Sequence, residues 1–571
     1  MTITRRAAPA LIFWLCCHAL PAVAQERAGE VLRQLEQGDT TPKKRPALPA
    51  LDGLPQQESE KARRITHEDT TRFFVKRIEV HGGGLLTEDE VNTATRPVDG
   101  TQQTLAELLA VADKLTTLLR TKGYLTSYAY IPSQELKDGI ITIRVIAGTL
   151  GNVSVSGNQS YSGAFIRGHL EKLKDTGALN EAELMRQLLI LNENDSLDAR
   201  AALRAGKEPG STDIQVSVKD KRPFHAGLGY DNFGSNSISR SRLSGHVGVG
   251  NLAFDGDMLT LSGMTGLNAI DIDRLSYGRA EYRTAINHSG TQLGAYYANS
   301  LYQAGGNIAS LGLNGRANVA GLYLSHPLIR TSSNSLTLKL GFEYKDVSDY
   351  MLGVLNSRDR IRTLQTELNH DFSDPFGGRN VLTAGWVTGL RGFLNGAEGR
   401  DSKSSRLNAT GDFNRLTLDV ARYQSLGGQH RLVLKAGGQY SPDELFVAEQ
   451  YSLGGAYSVR GYRPSFRNGD SGYTLGAELH LALTNAVQKS DDLIPPINTT
   501  SLFLVPFVDH GGVYRNNPQP GEASSSDLTS LGTGLRLYWG NVSARLDCAV
   551  PQTGGWMIRN TQTWLQVAVS F

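Results

Sequence analysis

Beyond Pro223 the chain runs for roughly 350 residues with almost no helical period, in short alternating runs punctuated by Gly, Asn, Asp and Ser. That pattern confines the larger part of the protein to a barrel or a long β-meander. Thr337-Leu338-Lys339-Leu340-Gly341-Phe342, Leu432-Val433-Leu434-Lys435-Ala436-Gly437, Tyr473-Thr474-Leu475-Gly476-Ala477-Glu478-Leu479 and Leu535-Arg536-Leu537-Tyr538-Trp539 are examples. About 16 strands fit, at roughly 22 residues per strand with its connection, the length expected of antiparallel strands that cross a membrane. The last residues, Trp564-Leu565-Gln566-Val567-Ala568-Val569-Ser570-Phe571, alternate too. Leu565, Val567, Val569 and Phe571 share one face suited to lipid, and an aromatic terminus favours an outer-membrane barrel over a soluble sandwich.

The other end names the compartment. Arg5 and Arg6 precede an apolar run from Ala10 to Leu20, followed by Ala22-Val23-Ala24. This reads as a signal peptide over residues 1–24, cut before Gln25, with an apolar run too short to span a bilayer. Cys16 and Cys17 would leave with it, so Cys548 stands alone in the mature chain and no internal disulfide is expected. After Gln25 no stretch of 18 apolar residues occurs, and the mean hydropathy of −0.28 excludes a helical membrane protein. A barrel is compatible with that value because every second residue faces its lumen. The 58 basic and 56 acidic residues nearly cancel, leaving no footprint of nucleic-acid binding. There is no P-loop, no HExxH motif and no Cys or His cluster, so no enzymatic chemistry, cofactor or metal is expected.

Residues 25–38 place Ala28, Val31, Leu32 and Leu35 at helical spacing, with charged residues on the other faces. So short an amphipathic helix must dock somewhere to persist. Residues 39–72 carry Pro42, Pro46, Pro49 and Pro55 among Lys43, Lys44 and Arg45, the composition of an extended linker. From 73 to 222 the chain repeats itself, in units of 73–148 and 149–222. A strand Phe74–Val80 ending at His81-Gly82-Gly83 has its counterpart in Val153–Ser156 ending at Gly157-Asn158. A helix with Leu105, Leu108, Leu109, Ala112, Leu115 and Leu119 on one face answers to Leu184, Leu188, Leu189 and Leu191. Each copy closes on an alternating strand, Ile141–Val145 and Ile214–Val218. The unit is strand, two helices, two strands, and its sheet should leave an open edge to which an extended peptide can add.

A connection at 441–470 holds Leu453-Gly454-Gly455-Ala456-Tyr457-Ser458-Val459-Arg460-Gly461-Tyr462. A segment of that length without obvious strands is expected to be functional. Gly454, Gly455 and Gly461 permit tight turns, and Arg460 inside a barrel would be costly unless it met a carboxylate. Asp509, in Phe507-Val508-Asp509, is the candidate partner.

Val459-Arg460-Gly461-Tyr462 resembles the VRGY signature of the BamA-like outer-membrane superfamily, and Phe507-Val508-Asp509 resembles the F-x-D signature that accompanies it. With the two repeats, the signal peptide and Phe571, the chain most resembles the TpsB transporters of two-partner secretion, the group of FhaC, ShlB and CdiB. The resemblance covers essentially the whole mature chain. It implies a Gram-negative outer-membrane β-barrel of about 16 antiparallel strands, preceded by two α+β POTRA domains in the periplasm. It implies that Arg460 sits at the tip of a loop folded into the lumen and bonds Asp509 on the wall. It implies that the helix near 25–38, with Val31, Leu32 and Leu35, plugs the pore at rest. The expected partners are a large secreted TpsA-type protein, such as a haemolysin, an adhesin or a contact-dependent toxin exported by type Vb secretion, the outer-membrane lipids, and the barrel-assembly machinery that would read Phe571 during biogenesis. The alternative is a barrel-assembly insertase of the same superfamily, a class that generally carries more POTRA modules. A passive porin would lack the periplasmic repeats, and a soluble exported enzyme has no motif in its favour.

Overall fold

The computed structural model describes residues 27–36, 51–52, 71–82, 84–135, 138–194, 196–267, 274–484, 500–552 and 561–571. The signal peptide at 1–24 and most of the linker lie outside them.

Sixteen antiparallel strands, from Phe224–Asp231 to Gln562–Ser570, each bond to the next, and the first pairs with the last to close a barrel. Alternation explains the wall. Leu340, Leu364, Trp386, Leu416, Leu475 and Leu535 stand exposed on the outside, whereas Lys345, Asp349, Glu478, Asp509 and Asp547 are buried on the inside. Three central strands, Asn314–Arg330, Asn334–Met351 and Val354–Ser373, have 17, 18 and 20 residues. About 10 residues cross a bilayer, so this side of the barrel extends well past the membrane. Cys548 is free and exposed.

The first repeat builds a sheet from Arg77–His81 parallel to Ile140–Ile146, with Tyr128–Tyr130 antiparallel on the far side. Helices Glu88–Thr95 and Leu105–Thr121 cover one face, and each starts with a complete capping box, Thr87 with Glu90 and Thr104 with Glu107. Leu108, Ala112, Leu115 and Leu119 form the core against Ile141, Ile143 and Val145. The single strand expected over Phe74–Val80 is in fact two. The Lys76 N–H donates to the Gly139 carbonyl, and Arg72–Val75 turns away to pair with Thr101–Thr104.

The second repeat has the same order. Thr149–Ser156 runs parallel to Ser211–Asp220, Leu197–Ala205 lies antiparallel beside it, and helices Gly163–Glu171 and Glu181–Leu191 pack above. Its edge departs from the expectation of an open strand. Leu51–Asp52 of the linker pairs parallel with Ala201 and Ala202, so the chain's own linker takes the backbone groups offered there.

The second repeat meets the barrel at the Asn251 turn and at the end of the strand Asn314–Arg330. Asn251 donates to the Ser160 carbonyl (3.1 Å), Arg186 to the Pro327 carbonyl (3.0 Å), and Arg330 pairs with Glu193 at 2.8 Å. The second repeat therefore sits against one mouth of the barrel.

Candidate functional site

The connection after the eleventh strand, Arg431–Tyr440, folds back inside the barrel before the twelfth, Ser471–Ala482. It contains strands after all. Tyr451–Leu453 and Arg467–Gly469 form a small hairpin, and the motif is the turn at its tip. Gly454 and Gly455 hold φ of 104° and 103°, a region that L side chains rarely adopt, so the reversal needs glycine. Gly461 serves close approach. A β-carbon there would lie 2.7 Å from Ser530 Cβ and 2.9 Å from the Pro551 nitrogen on the wall.

Arg460 is 3% exposed and meets the wall on every side. Nε and Nη2 make a bidentate pair with Asp509 at 2.8 and 2.6 Å, and the Arg460 backbone N–H donates to the same carboxylate at 3.1 Å. Nη1 reaches Glu478 at 2.9 Å and Asp547 at 3.5 Å. The guanidinium lies 3.4 Å from the centre of the Phe507 ring, a cation–π stack. Thus the phenylalanine and the aspartate of Phe507-Val508-Asp509 both serve the same arginine, one on its face and one on its edge. Asp547 also accepts from Arg536 at 2.6 Å and Arg545 at 2.7 Å. Three buried carboxylates therefore meet three guanidinium groups, and their mutual attraction and hydrogen bonds offset the desolvation cost of burying each charge. The Arg460 carbonyl accepts from Trp564 Nε1 at 2.7 Å, on the last strand. Val459 is fully buried, and the Tyr462 hydroxyl donates to the Thr529 carbonyl at 3.3 Å.

A second body fills the lumen beside this loop. The helix Ala28–Glu36 buries Val31, Leu32 and Leu35 against Ala317, Val319 and Val347 of the wall and Leu445, Phe446 and Ala448 of the inward loop. At Gly29 a β-carbon would fall 2.7 Å from Ala448, so the helix lies directly on the loop backbone. Its polar ties are few. The Ala28 N–H donates to Asp349 at 2.8 Å, a carboxylate that also accepts from Tyr302 (3.0 Å) and Ser357 (3.1 Å). Gln34 bonds Ser465 at 3.0 Å, Glu30 bonds Asn468, and Arg27 bonds the Ser405 carbonyl. The three guanidinium nitrogens of Arg33 are buried and have no hydrogen-bond partner in the structure.

The family model described as "Haemolysin secretion/activation protein ShlB/FhaC/HecB" matches residues 210–537, and that described as "POTRA domain, ShlB-type" matches residues 73–148. The chain belongs to the ShlB/FhaC/HecB family. It is similar to the heme/hemopexin transporter protein HuxB of Haemophilus influenzae, at 24% identity over 96% of each chain. It is also similar to the outer membrane transporter CdiB of Escherichia coli O6:K15:H31 (strain 536 / UPEC), at 24% identity over 87% of this chain and 82% of CdiB. The solved structure of CdiB from Escherichia coli superposes with a TM-score of 0.73 at 21% identity, covering 100% of both chains. This ShlB/FhaC/HecB protein is thus a transporter of two-partner secretion, with its barrel in the outer membrane and its POTRA region in the periplasm.

The structure brings together every residue that the sequence singled out in the transporter's loop and wall. Glu478, Asp547 and Trp564 complete the Arg460 site, and Asp349 and Tyr302 the helix site, without having been read from the sequence. Glu478 sits opposite Phe507 in register, yet nothing in its own strand marks it apart from other inward polar positions. Phe571 lies at the other end of the closing strand, 67% exposed, its backbone exchanging both hydrogen bonds with Ala226.

Proposed function

We propose that this transporter threads a large, unfolded TpsA-type partner through its barrel and that the two bodies in the lumen have different parts in it. Arg460, locked to Asp509, keeps the inward loop as a fixed guide. The helix carrying Val31, Leu32 and Leu35 is the plug, which leaves the lumen when cargo arrives. The POTRA modules, 73–148 and 149–222, capture the cargo by adding its extended backbone to a sheet edge, and at the second module the cargo displaces Leu51–Asp52. Folding of the cargo outside supplies direction, so no nucleotide, metal or other cofactor is called for. Phe571, exposed at the closing seam, suits recognition by the barrel-assembly machinery during biogenesis.

The observation that carries this reading is the contrast between a loop tied to the wall by a balanced ionic cluster and a helix held beside it by an apolar face. HuxB is named for heme and hemopexin, and the broader family for haemolysin. For this chain the cargo class is a haemolysin, an adhesin, a contact-dependent toxin or a binding protein of comparable size.

The test compares culture supernatants from cells with the protein, without it, and with Arg460→Ala. Loss of one large secreted polypeptide, with the other outer-membrane proteins unchanged, is expected. Intact secretion together with failed assembly of many other barrels would replace this reading with an insertase.

A further inference from the structure

The contact between the second POTRA module and the barrel holds a group that export does not use. His169, on the helix Gly163–Glu171, is 2% exposed although histidine is polar at both ring nitrogens. Its ring lies edge-on between Phe165 of its own helix, at 5.0 Å, and His288 of the barrel turn 286–291, at 5.1 Å between centroids. Its Nδ1 is buried without a hydrogen-bond partner. The His288 ring in turn rests on the helix backbone at Gly168, where a β-carbon would lie 2.4 Å from its Nε2. These close approaches make the two histidines the centre of the joint.

Around them the joint is polar and charged. Ser162, the cap of the same helix, bonds Asp255 of another barrel turn, and Lys172 bonds Ser289. Arg186 holds the Pro327 carbonyl, and Arg330 pairs with Glu193. The neighbours whose charge acts on His169 are His288 and Lys172, and both disfavour its imidazolium.

We infer that this joint is a pH-responsive hinge, docked near neutrality and loosened in mildly acid medium by protonation of His169. The inference concerns the posture of the POTRA modules beneath the pore and does not depend on the identity of the cargo. Burial in the docked state pushes the His169 pKa down to about 4, with the His288 ring and Lys172 adding repulsion and hydrogen bonding with the Gln187 side chain and the His288 backbone opposing it. Once undocked, the ring meets water and regains an ordinary value of about 6.5. Between those values the undocked state holds more protons. Docking is therefore at full strength above about pH 6.5 and weakens as pH falls toward 4, by up to about 30-fold at pH 5 relative to pH 8.

Backbone hydrogen exchange of the full chain in lipid vesicles, corrected for the intrinsic pH dependence of exchange, reads this opening even when it is rare. Protection of segments 160–172 and 286–291 is expected to fall by about tenfold or more from pH 8 to pH 5, while the barrel segment 431–440 keeps its protection. His169→Phe and His169→Gln, neutral at every pH, should remove that dependence, and the glutamine variant serves if phenylalanine disturbs folding. Native protection that is the same at both pH values would overturn the hinge, and so would an equal loss in the neutral variants.

Discussion

The loop tip and the lumenal helix share one cavity and differ in what holds them there. At the tip, Arg460 is met by three carboxylates and an aromatic face, and the excess acid is balanced by Arg536 and Arg545. The helix has an apolar stripe, one wall carboxylate at its N-terminus, side-chain hydrogen bonds at Arg27, Glu30 and Gln34, and a buried guanidinium, Arg33, that lacks a hydrogen-bond partner. Breaking one ionic contact at the tip strands buried charge, so the loop resists leaving at every step. Sliding the helix out trades apolar contacts for water gradually and returns Arg33 to solvent, which favours departure. A fixed guide and a removable plug thus follow from the kind of interaction each makes.

The largest effect expected from breaking this contrast is at the tip. Arg460→Ala leaves Asp509, Glu478 and Asp547 facing two cations, a change that costs about 3–5 kcal/mol at a buried pair. Secretion should fall at least tenfold, and the barrel should unfold at lower temperature in the gel-shift assay of heated and unheated protein. Arg460→Lys should not restore either, because a point charge cannot span Asp509 bidentately and stack on Phe507. Next in size is Leu32→Ala. Leu32 is 1% exposed, and truncating such a side chain costs about 2–5 kcal/mol. Conductance across planar bilayers should show the open pore populated about tenfold more often or higher, with heat stability of the barrel unchanged. An effect on barrel stability equal to that of Arg460→Ala would erase the distinction between guide and plug.

Asp349→Asn is smaller. The carboxylate takes an N–H at the helix start, where negative charge is favoured, and two hydroxyls besides. The amide keeps its shape and loses charge, so about 1–3 kcal/mol of helix docking should go, again read as pore opening. Leu32→Ala combined with Asp349→Asn should add nearly in full if the apolar stripe and the N-terminal tie act independently.

Local patterns made much of this legible. The alternation beyond Pro223 predicts barrel strands because each strand must satisfy lipid on one side and the lumen on the other. Helical spacing at Val31, Leu32 and Leu35 predicts a helix that must dock, and the cost of a buried Arg460 points to Asp509. The remaining features depend on what the closed barrel brings together. Glu478, Asp547 and Trp564 come from three different strands, and their convergence on Arg460 follows from shear and closure rather than from any spacing. Asp349 looks like one inward polar residue among many until the helix places an N–H against it. The break at Lys76 is likewise decided by a distant carbonyl, that of Gly139. The edge of the second repeat reads as open because two residues of a proline-bearing linker carry no strand signal of their own.

That edge sharpens the comparison most gently. The plug helix continues into the linker, and Leu51–Asp52 is tied to Ala201 and Ala202 by parallel pairing of two residues. Each backbone bond of such a pair contributes about 0.5–1.5 kcal/mol net, less at an exposed edge. Leu51→Pro with Asp52→Pro removes both donors and leaves every contact of the helix in the lumen intact. If the linker strand restrains the helix, pore opening should rise a few-fold at most, well below the effect of Leu32→Ala. Cargo should also bind the full-length protein more tightly by a similar factor, because it no longer competes with the linker for the same backbone groups. A rise in opening without tighter binding would make the linker a tether alone, and tighter binding without a rise would make it a cover for the edge that is uncoupled from the plug.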